Sequence, residues 1–418
     1  MVVVRSILIL DMSYTLQMFR ERQLWQALDS RKLEGYFDHV VSVHPLAGLF
    51  ESGDRRFGEP VVTTLDAAHV FVEGTIGISR ALRFVPPLNL LLAQIALVRL
   101  LRRMASAASV DVVRVGDPYY LGLVGWVLSR LLRVPLAIRV SSNYDAMHRI
   151  TGKAAFPRLF RFRLIEKAIE RFVFPRCALV AGANQDNLEY ALANGARQRA
   201  IAVVFRYGNL IHPQHFTEPA SRSAGKAMLR AIGVEREFLI TISRLEAMKQ
   251  PDHNLFVLKK LRDAGHDVGF VFVGDGSLRG RLEDLVMEMG LSGHVWFAGN
   301  RPQDWVAAVL PQARLVLSPQ MGRALTEACL AGVPVVAYDL DWQAEVIRSG
   351  DTGELVQAGD WEEMARRAAR LLADPDHARR LGRNARRAAL ELMDPRRVVA
   401  METSAYDALF RETERKSA

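Results

Sequence analysis

Cysteine is nearly absent from this 418-residue chain, which contains only Cys177 and Cys329. Two cysteines are too few for a disulfide framework, or for a zinc site on their own, and they favour a reducing cytosol. Long apolar runs are also lacking. The most membrane-like stretch, residues 84–101, is interrupted by two prolines and by Arg99, and it falls short of the ~18 apolar residues that a membrane-spanning helix needs. The first residues lack a charged leader and predict a buried strand instead, so we expect a cytoplasmic protein, soluble or peripheral on the inner face of the membrane.

The chain also lacks repeats and low-complexity segments, and half of its residues are apolar. That apolar content excludes disorder, and the length suggests two or three domains. Zinc-finger spacing and an aromatic-rich RNA-binding signature are missing as well. We therefore expect no nucleic-acid partner.

Positive charge is concentrated in the first half. Residues 1–215 hold 27 Lys and Arg against 17 Asp and Glu, whereas residues 216–418 hold 28 against 29. An acidic partner for the first half would explain the excess, and so would an ordinary solvated surface. Basic residues alternate with aromatic residues between positions 158 and 172, which favours contact with an anionic membrane surface. The residues of this pattern are Arg158, Phe160, Arg161, Phe162, Arg163, Lys167, Arg171 and Phe172.

Short apolar runs alternate with helical segments throughout, which predicts an α/β fold with parallel sheets. The stretch 208–225 contains Pro213, Pro219 and several other turn residues, and it is typical of a linker. We predict an N-terminal Rossmann-like domain over residues 1–212 and a C-terminal Rossmann-like domain over residues 213–395, with a cleft between them. Residues 396–418 are expected to form a helix that packs back toward the N-terminal domain.

Several polar residues follow the predicted strands of the second half. Arg244 and Lys249 come after the strand 238–243, at the edge of the sheet where open α/β folds place their ligands. Two cations there suit a diphosphate group. Gly274 and Gly276 end the next strand and either approach a ligand or simply make a tight turn.

The stretch 317–339 carries the most chemical information. Gly322 follows a strand, and the N–H groups of Gly322, Arg323 and Ala324 at the start of a helix could bind an anion. Glu327 lies one turn into that apolar helix. It could accept hydrogen bonds from a ribose diol, or it could be an ordinary helix acid.

Taken together, residues 238–392 resemble the donor-binding domain of GT4-like retaining glycosyltransferases of the GT-B fold. The resemblance rests on five motifs in order, Arg244-Leu…Lys249, Val273-Gly-Asp-Gly276, Val295-Trp-Phe-Ala-Gly299, Glu327-Ala and Ala331-Gly-Val-Pro-Val-Val-Ala337. It implies that Arg244 and Lys249 hold the diphosphate of a nucleotide sugar and that Glu327 holds the ribose. It also implies base contacts near Asn300 and Arg301, further donor contacts at residues 322–325 including Leu325, acceptor binding by the first domain, and no cofactor or obligate metal.

The chain departs from the family pattern in three places. Pro319 stands where the family usually has a first glutamate, eight residues before Glu327. Gly116 stands where a histidine often precedes an Asp-Pro element, and Tyr207-Gly-Asn209 replaces a longer motif. These departures indicate a divergent subgroup with its own catalytic set, or a chain whose activity is impaired.

Other polar residues at strand ends could supply the missing contacts. Asp341 and Glu345 could bind sugar hydroxyls, although Asp341 could equally be a helix N-cap beside a packed Trp342. In the first domain, the candidates for acceptor contacts or for a base are Asp117, Tyr119, Asn143, Tyr144, Asp145 and His148.

The sequence as a whole predicts a retaining glycosyltransferase that uses a UDP- or GDP-linked sugar. Its acceptor would be a glycan or a lipid-linked molecule of cell-surface polysaccharide synthesis. Two alternatives stay open at this point: a nucleotide-sugar epimerase or hydrolase, and a non-catalytic binding or scaffold subunit.

Overall fold

The structure is a computed structural model that describes residues 4–21, 24–50, 56–157, 159–196, 200–217 and 222–417. The chain divides into two compact units. Unit 1 comprises Met1–Leu210 and Pro395–Ala418, and unit 2 comprises Ile211–Asp394. Most of the predicted linker 208–225 therefore belongs to unit 2, which begins at Ile211 and includes the helix that starts at Arg222.

Unit 1 contains a sheet in the order β3-β4-β2-β1-β5-β6-β7-β8, in which only the β3–β4 pair is antiparallel. Its strands are β1 Ser6–Leu10, β2 His39–His44, β3 Val61–Thr64, β4 His69–Glu73, β5 Val112–Val115, β6 Leu136–Val140, β7 Leu179–Gly182 and β8 Ile201–Val204. Its helices are α1 Leu16–Glu21, α2 Trp25–Asp29, α3 Pro86–Ala107, α4 Tyr120–Leu132, α5 Tyr144–Thr151, α6 Arg163–Val173, α7 Gln185–Ala193 and, after unit 2, α15 Pro395–Ser417.

Side chains of β1 alternate between two cores, as the pleat of a strand requires. Leu8 and Leu10 lie in the core that α3, α4 and α6 cover. Ile7 and Ile9 lie in the core on the opposite face, which includes Tyr406 of α15. Both faces of the sheet are therefore covered, and the final helix covers part of one of them.

The α15 helix is held to unit 1 by both apolar and polar contacts. The ring of Tyr406 packs edge-on against Phe37, with centroids 5.1 Å apart. Asp407 accepts a hydrogen bond from the Tyr36 hydroxyl at 2.7 Å and pairs with Arg5 at 2.9 Å.

Unit 2 contains a fully parallel sheet in the order β11-β10-β9-β12-β13-β14. Its strands are β9 Phe238–Ile242, β10 Gly269–Val273, β11 Val295–Gly299, β12 Leu315–Ser318, β13 Val335–Asp339 and β14 Glu354–Gln357. Its helices are α8 Arg222–Arg230, α9 Pro251–Asp263, α10 Arg279–Glu288, α11 Gln303–Val309, α12 Arg323–Leu330, α13 Trp361–Ala373 and α14 Pro375–Leu392. The α/β class with two mainly parallel sheets is confirmed.

One predicted helix of unit 1 is shorter than expected. The sequence suggested a helix over residues 156–172, but α6 starts only at Arg163. The fully buried carboxylate of Glu166 accepts the backbone N–H groups of Ala155 and Phe156, at 3.1 and 2.8 Å. The segment before α6 therefore folds back onto this helix instead of extending it.

Candidate active site

In unit 2, the strand order places the predicted donor residues side by side. The β9 strand lies between β10 and β12: the chain first adds β10 and β11 on one side of β9 and then crosses to add β12, β13 and β14 on the other. In open α/β sheets, such a switch point opens a crevice at the carboxyl ends of the strands. Along this edge, neighbouring strands end at Gly299, Val273, Ile242, Ser318 and Asp339. The residues proposed from the sequence follow these five strand ends.

Gly274 and Gly276 allow two of these loops to pack closely against each other. The loop after β9 bonds to the loop after β10, with Ser243 N–H donating to Val273 and Leu245 N–H donating to Asp275, both at 3.0 Å. A Cβ atom at Gly274 would collide with the Ser243 carbonyl, and one at Gly276 would lie 2.5 Å from the Leu245 carbonyl oxygen. Gly274 also has a φ of +124°. These glycines are therefore required for loop packing, whatever they contribute to ligand binding.

Arg244 and Lys249 lie near each other at this edge. Arg244 is exposed and Lys249 is half-buried. Burial lowers the pKa of the Lys249 ammonium group; Asp341 opposes this shift and Arg244 reinforces it. Within the part of the chain that the structure describes, neither cation has a carboxylate within ion-pair distance. Arg244 and Lys249 therefore form no ion pair among the described residues, and Asp341 lies close to Lys249.

The loop after β12 leads directly into Glu327. Gly322 has a φ of +72°, Arg323 begins α12 and is exposed, and Ala324 is half-buried. Leu325 is fully buried, and its N–H donates to the Gly322 carbonyl at 3.0 Å, so this amide is already used. Glu327 is only 7% exposed. No hydrogen-bond donor or cation of the described residues binds its carboxylate, and its oxygens are not among the fully buried atoms that lack a partner, so water or a ligand can reach them.

Gln343, which sequence reasoning missed, anchors this loop. Its side-chain nitrogen donates to the carbonyls of Ser318 and Pro319 at 3.2 Å and of Tyr338 at 2.9 Å, and its oxygen accepts the Ser318 hydroxyl at 2.5 Å. Gln343 is 1% exposed and Ser318 is fully buried. The amide therefore ties the end of β12 to the end of β13, directly beneath the predicted site.

Asp341 is not the N-cap that one interpretation suggested. The short 3-10 helix Gln343–Glu345 begins after Trp342 without a side-chain cap. Trp342 is packed at 4% exposure, as that interpretation expected. Asp341 itself is exposed with a φ of +58°, while Glu345 is half-buried. Its left-handed backbone and its proximity to Lys249 keep Asp341 a candidate for contacts with a bound sugar.

Asn300 and Arg301 follow β11 at one end of this row. The Gly274 N–H donates to the Gly299 carbonyl at 2.8 Å, which brings the exposed Asn300 next to the β10 loop. Arg301 donates from Nε to the Ala298 carbonyl at 2.8 Å, and its guanidinium lies 5.2 Å from the centre of the Trp305 ring. Arg301 therefore stabilises its own turn, whereas Asn300 is open to solvent.

In unit 1, the side chains of the candidates Asp117, Asn143 and His148 make hydrogen bonds to nearby backbone groups. Asp117 is 3% exposed and accepts the Tyr119 N–H at 2.8 Å, and burial raises the pKa of its carboxyl to about 7. Asn143 caps α5 through the Ala146 N–H. The Nδ1 atom of His148 lies 2.9 Å from the carbonyl oxygen of Lys153.

The other first-domain candidates, Tyr119, Tyr144 and Asp145, are buried or paired. Tyr119 and Tyr144 pack with ring centroids 5.0 Å apart. Asp145 accepts hydrogen bonds from Arg163 and Lys167 at 2.7 and 2.6 Å. These side chains therefore support the fold of unit 1.

Two residues at the switch point of unit 1 were not singled out from the sequence. Asp11 follows directly after β1, and His44 is the last residue of β2. Asp11 pairs with Arg31 at 2.7 Å. His44 is 1% exposed; burial lowers the pKa of its ring, and the nearby Asp11 opposes that shift. The position of Asp11 directly after the first strand was the sequence signal that could have identified this pair.

Metal binding has no obvious site among the described residues. No group of three or more His, Cys, Asp or Glu side chains converges there as metal ligands would. The expectation that no metal is required stays a prediction.

Residues 230–388 match the family of glycosyl transferases group 1. Over 264 residues, the chain is 28% identical to the 2-deoxystreptamine glucosyltransferase of Streptomyces kanamyceticus, an alignment that spans 60% of this chain and 65% of the relative. It is 27% identical over 272 residues to the D-inositol 3-phosphate glycosyltransferase of Nocardia farcinica, spanning 62% of this chain and 58% of the relative.

Two solved structures match almost the whole chain. Anabaena HepE, solved with UDP and glucose, has a TM-score of 0.70 and 19% identity, and the match covers 97% of this chain and 100% of HepE. Sucrose-phosphate synthase from Thermosynechococcus elongatus has a TM-score of 0.75 and 18% identity, covering 98% of this chain and 100% of that one. At these identities the likeness concerns the fold.

Proposed function

We propose that this chain, a GT4-like glycosyltransferase of the GT-B fold, transfers a sugar from a nucleotide-diphosphate sugar with retention of anomeric configuration. The donor would be UDP- or GDP-linked. The acceptor would be a glycan or a lipid-linked molecule, in cell-surface polysaccharide synthesis.

One observation carries the donor part of this proposal. At the switch point of unit 2, two cations that form no ion pair among the described residues lie at the same sheet edge as Glu327, a mostly buried side chain whose carboxylate has no donor among those residues. Arg244 and Lys249 would bind the diphosphate, and Glu327 would accept hydrogen bonds from the ribose hydroxyls. A ligand can reach the carboxylate oxygens of Glu327, because they are not among the fully buried atoms that lack a partner. A nucleotide diphosphate would therefore supply what all three side chains lack.

The same cations would assist the chemical step. As the bond between the anomeric carbon and the phosphate oxygen breaks, negative charge grows on the departing diphosphate, and fixed cations stabilise that charge. The acceptor oxygen would attack from the same face and give its proton to the leaving phosphate oxygen. Neither a dedicated base nor a metal ion is then needed.

The solved relatives support UDP as the first nucleotide to test, because HepE was solved with UDP and with UDP-glucose. Base contacts would come from the segment around Asn300. The two cysteines are free and buried, which is compatible with the reducing cytosol that we propose as the compartment.

A thermal-shift titration with UDP, GDP, ADP and CDP tests the proposal. A ligand at 100 times its Kd stabilises the folded state by about 2.7 kcal/mol. We expect one nucleotide to shift the wild type and to lose its effect in Arg244→Ala and in Glu327→Ala. The control is Arg383→Ala, which removes an equally exposed arginine from α14 and should leave the shift intact.

Product analysis then separates the alternatives. Transfer to an added acceptor supports the proposal. Free or isomerised sugar without an acceptor would identify a hydrolase or an epimerase. Nucleotide binding without turnover of any donor would identify a binding subunit, and Pro319 would then mark lost catalysis.

A further inference from the structure

Three helices of unit 1 lie side by side on one face of the sheet. The α3 helix packs against α4, and α4 packs against α6. Leu97, Leu128 and Val173 of these helices are fully buried in the core beneath them. The opposite sides of the three helices therefore form one outward surface, which we call the α3–α4–α6 face.

Apolar side chains are unusually exposed on this face. Among the described residues, eighteen large apolar side chains are exposed, and Met287 is the only one of them in unit 2. Ten belong to the α3–α4–α6 face or to the turns that lead into it: Phe84, Val85, Leu88, Leu91, Ile95, Val127, Leu131, Phe162, Leu164 and Ile165. Phe84 is 79% exposed and Leu164 is 82% exposed. Such a concentration is typical of an interaction surface.

The charge on this face has one sign. Residues 74–110 and 118–144 contain no Asp or Glu. Exposed arginines occur on or beside all three helices, at positions Arg99, Arg102, Arg103, Arg130, Arg133, Arg161 and Arg171. Among the described residues none of these arginines forms an ion pair. The two acids of α6, Glu166 and Glu170, are fully buried.

The structure also changes which residues of α6 can face a membrane. Arg163 and Lys167, which the sequence pattern assigned to a basic surface, point into an internal network. Arg163 pairs with Glu166 at 3.0 Å, and Lys167 pairs with Glu170 at 3.1 Å. Phe160 and Phe172 are partly buried against the core of unit 1. Arg158 lies outside the described residues, so Arg161, Phe162 and Arg171 are what remains of the original pattern.

We propose that the α3–α4–α6 face binds the surface of an anionic lipid bilayer. Exposed aliphatic and aromatic side chains would enter the boundary between headgroups and acyl chains, while the arginines would bind lipid phosphates. Charge complementarity favours this occupant, because the face offers only cations. The aliphatic part favours lipid over nucleic acid, which requires stacking or groove contacts that leucine and isoleucine do not provide.

The α3–α4–α6 face extends toward the sheet edge that carries the acceptor candidates of unit 1. Because α3 and α4 are crossovers between parallel strands, both begin near the carboxyl ends of the strands, where Asp117 lies. Leu88 and Leu91 are in the first turns of α3 and therefore lie toward that edge. A bilayer bound there would bring its headgroups toward the edge of the sheet that carries the acceptor candidates. Binding to lipid does not depend on the donor proposed above.

Co-sedimentation with vesicles tests the proposal. The full chain is mixed with phosphatidylcholine vesicles, with or without 30% phosphatidylglycerol. We expect binding only to the anionic vesicles and weaker binding at high salt. Each basic residue near an anionic surface strengthens binding about fivefold, so Arg99→Gln with Arg102→Gln and Arg103→Gln should weaken it about 100-fold.

A matched triple variant controls for net charge. Arg370→Gln with Arg383→Gln and Arg387→Gln removes three exposed arginines from α13 and α14 of unit 2. It should leave vesicle binding unchanged. No binding of the wild type to anionic vesicles, or equal losses in the two triple variants, would overturn the proposal.

A second variant tests the apolar part. Leu88→Gln with Leu91→Gln and Ile95→Gln keeps every charge and changes only side chains that are already exposed, so the melting temperature should be preserved. We expect it to reduce the binding that survives in high salt. If it leaves vesicle binding intact while a short RNA binds as tightly as the vesicles do, the face is a general polyanion site and the bilayer proposal is wrong.

Discussion

Replacing Gln343 with leucine should destabilise unit 2 and its candidate site together. The substitution keeps the approximate volume but removes the amide that bonds to Ser318, Pro319 and Tyr338. The Tyr338 carbonyl still accepts the Leu340 N–H, so it stays satisfied. The Ser318 carbonyl stays within the β12–β13 ladder, but the Pro319 carbonyl loses its donor and the Ser318 hydroxyl loses its acceptor in a buried setting.

The size of the effect follows from those lost bonds. A buried polar group left without its partner costs about 1–3 kcal/mol. With these two groups affected, we expect a loss of about 2–6 kcal/mol in the free energy of unfolding of unit 2. For a domain of roughly 150–250 residues, 1 kcal/mol corresponds to about 2–4 °C in melting temperature. The expected decrease is therefore about 4–24 °C.

Differential scanning calorimetry measures this change, and the nucleotide titration described above measures the effect on the site. Gln357→Leu is the control, because Gln357 is exposed at the end of β14 and its replacement should change stability by less than about 0.5 kcal/mol. A melting temperature for Gln343→Leu within 1 °C of the wild type would refute the reasoning. It would mean that the loop after β12 does not depend on this amide.

Three further predictions concern backbone packing, protonation and metal. Gly274→Ala should lower the free energy of unfolding by more than about 1 kcal/mol, because the added Cβ would collide with the Ser243 carbonyl. Gly280→Ala in α10 has free space around the new Cβ and should raise the free energy of unfolding by about 0.5–1 kcal/mol. Urea titrations compare the two variants. Burial raises the pKa of the Asp117 carboxyl to about 7, so the folded state holds a proton that the unfolded chain releases near pH 4. The contribution of this group to stability is therefore present below pH 4 and is lost as the pH rises through 7. Asp117→Asn should therefore gain stability relative to the wild type between pH 5 and pH 8, and equal differences at the two pH values would contradict this. EDTA should leave the nucleotide-induced thermal shift unchanged, and a shift that returns only with added Mg²⁺ would show that a metal is required.

The central strands of unit 2 could be predicted closely because they are buried on both faces, whereas β14 at the edge of the sheet was not predicted. Phe238–Ile242 and Gly269–Val273 read as continuous apolar runs, as central parallel strands do. In unit 1, β3 and β4 were both missed, and for β3 the reason is that Val61 and Val62 are exposed on an edge strand that pairs antiparallel with β4. Its pattern carries no burial signal that would separate it from a loop.

The residues of the candidate site also differ in whether the sequence alone could identify them. Arg244, Lys249 and Glu327 could be chosen because charged residues next to apolar strands or within an apolar helix contrast with their neighbours. Gln343 could not be chosen, since a lone glutamine in a polar turn looks like a surface residue until β12 and β13 are placed beside each other. Likewise, Arg163 and Lys167 were assigned to a surface because their acidic partners in the core become visible only after folding.

The division of unit 1 into two segments affects how the chain folds during synthesis. Phe37 and Phe205 are covered by α15, which leaves the ribosome only after all of Ile211–Asp394 has been made. At about 5–20 residues per second, that interval lasts roughly 10–40 s. Unit 2 can complete its core within this time, whereas one face of the first sheet stays uncovered until its last helix arrives. The nascent chain therefore carries an apolar surface for chaperones to bind during most of the synthesis of unit 2.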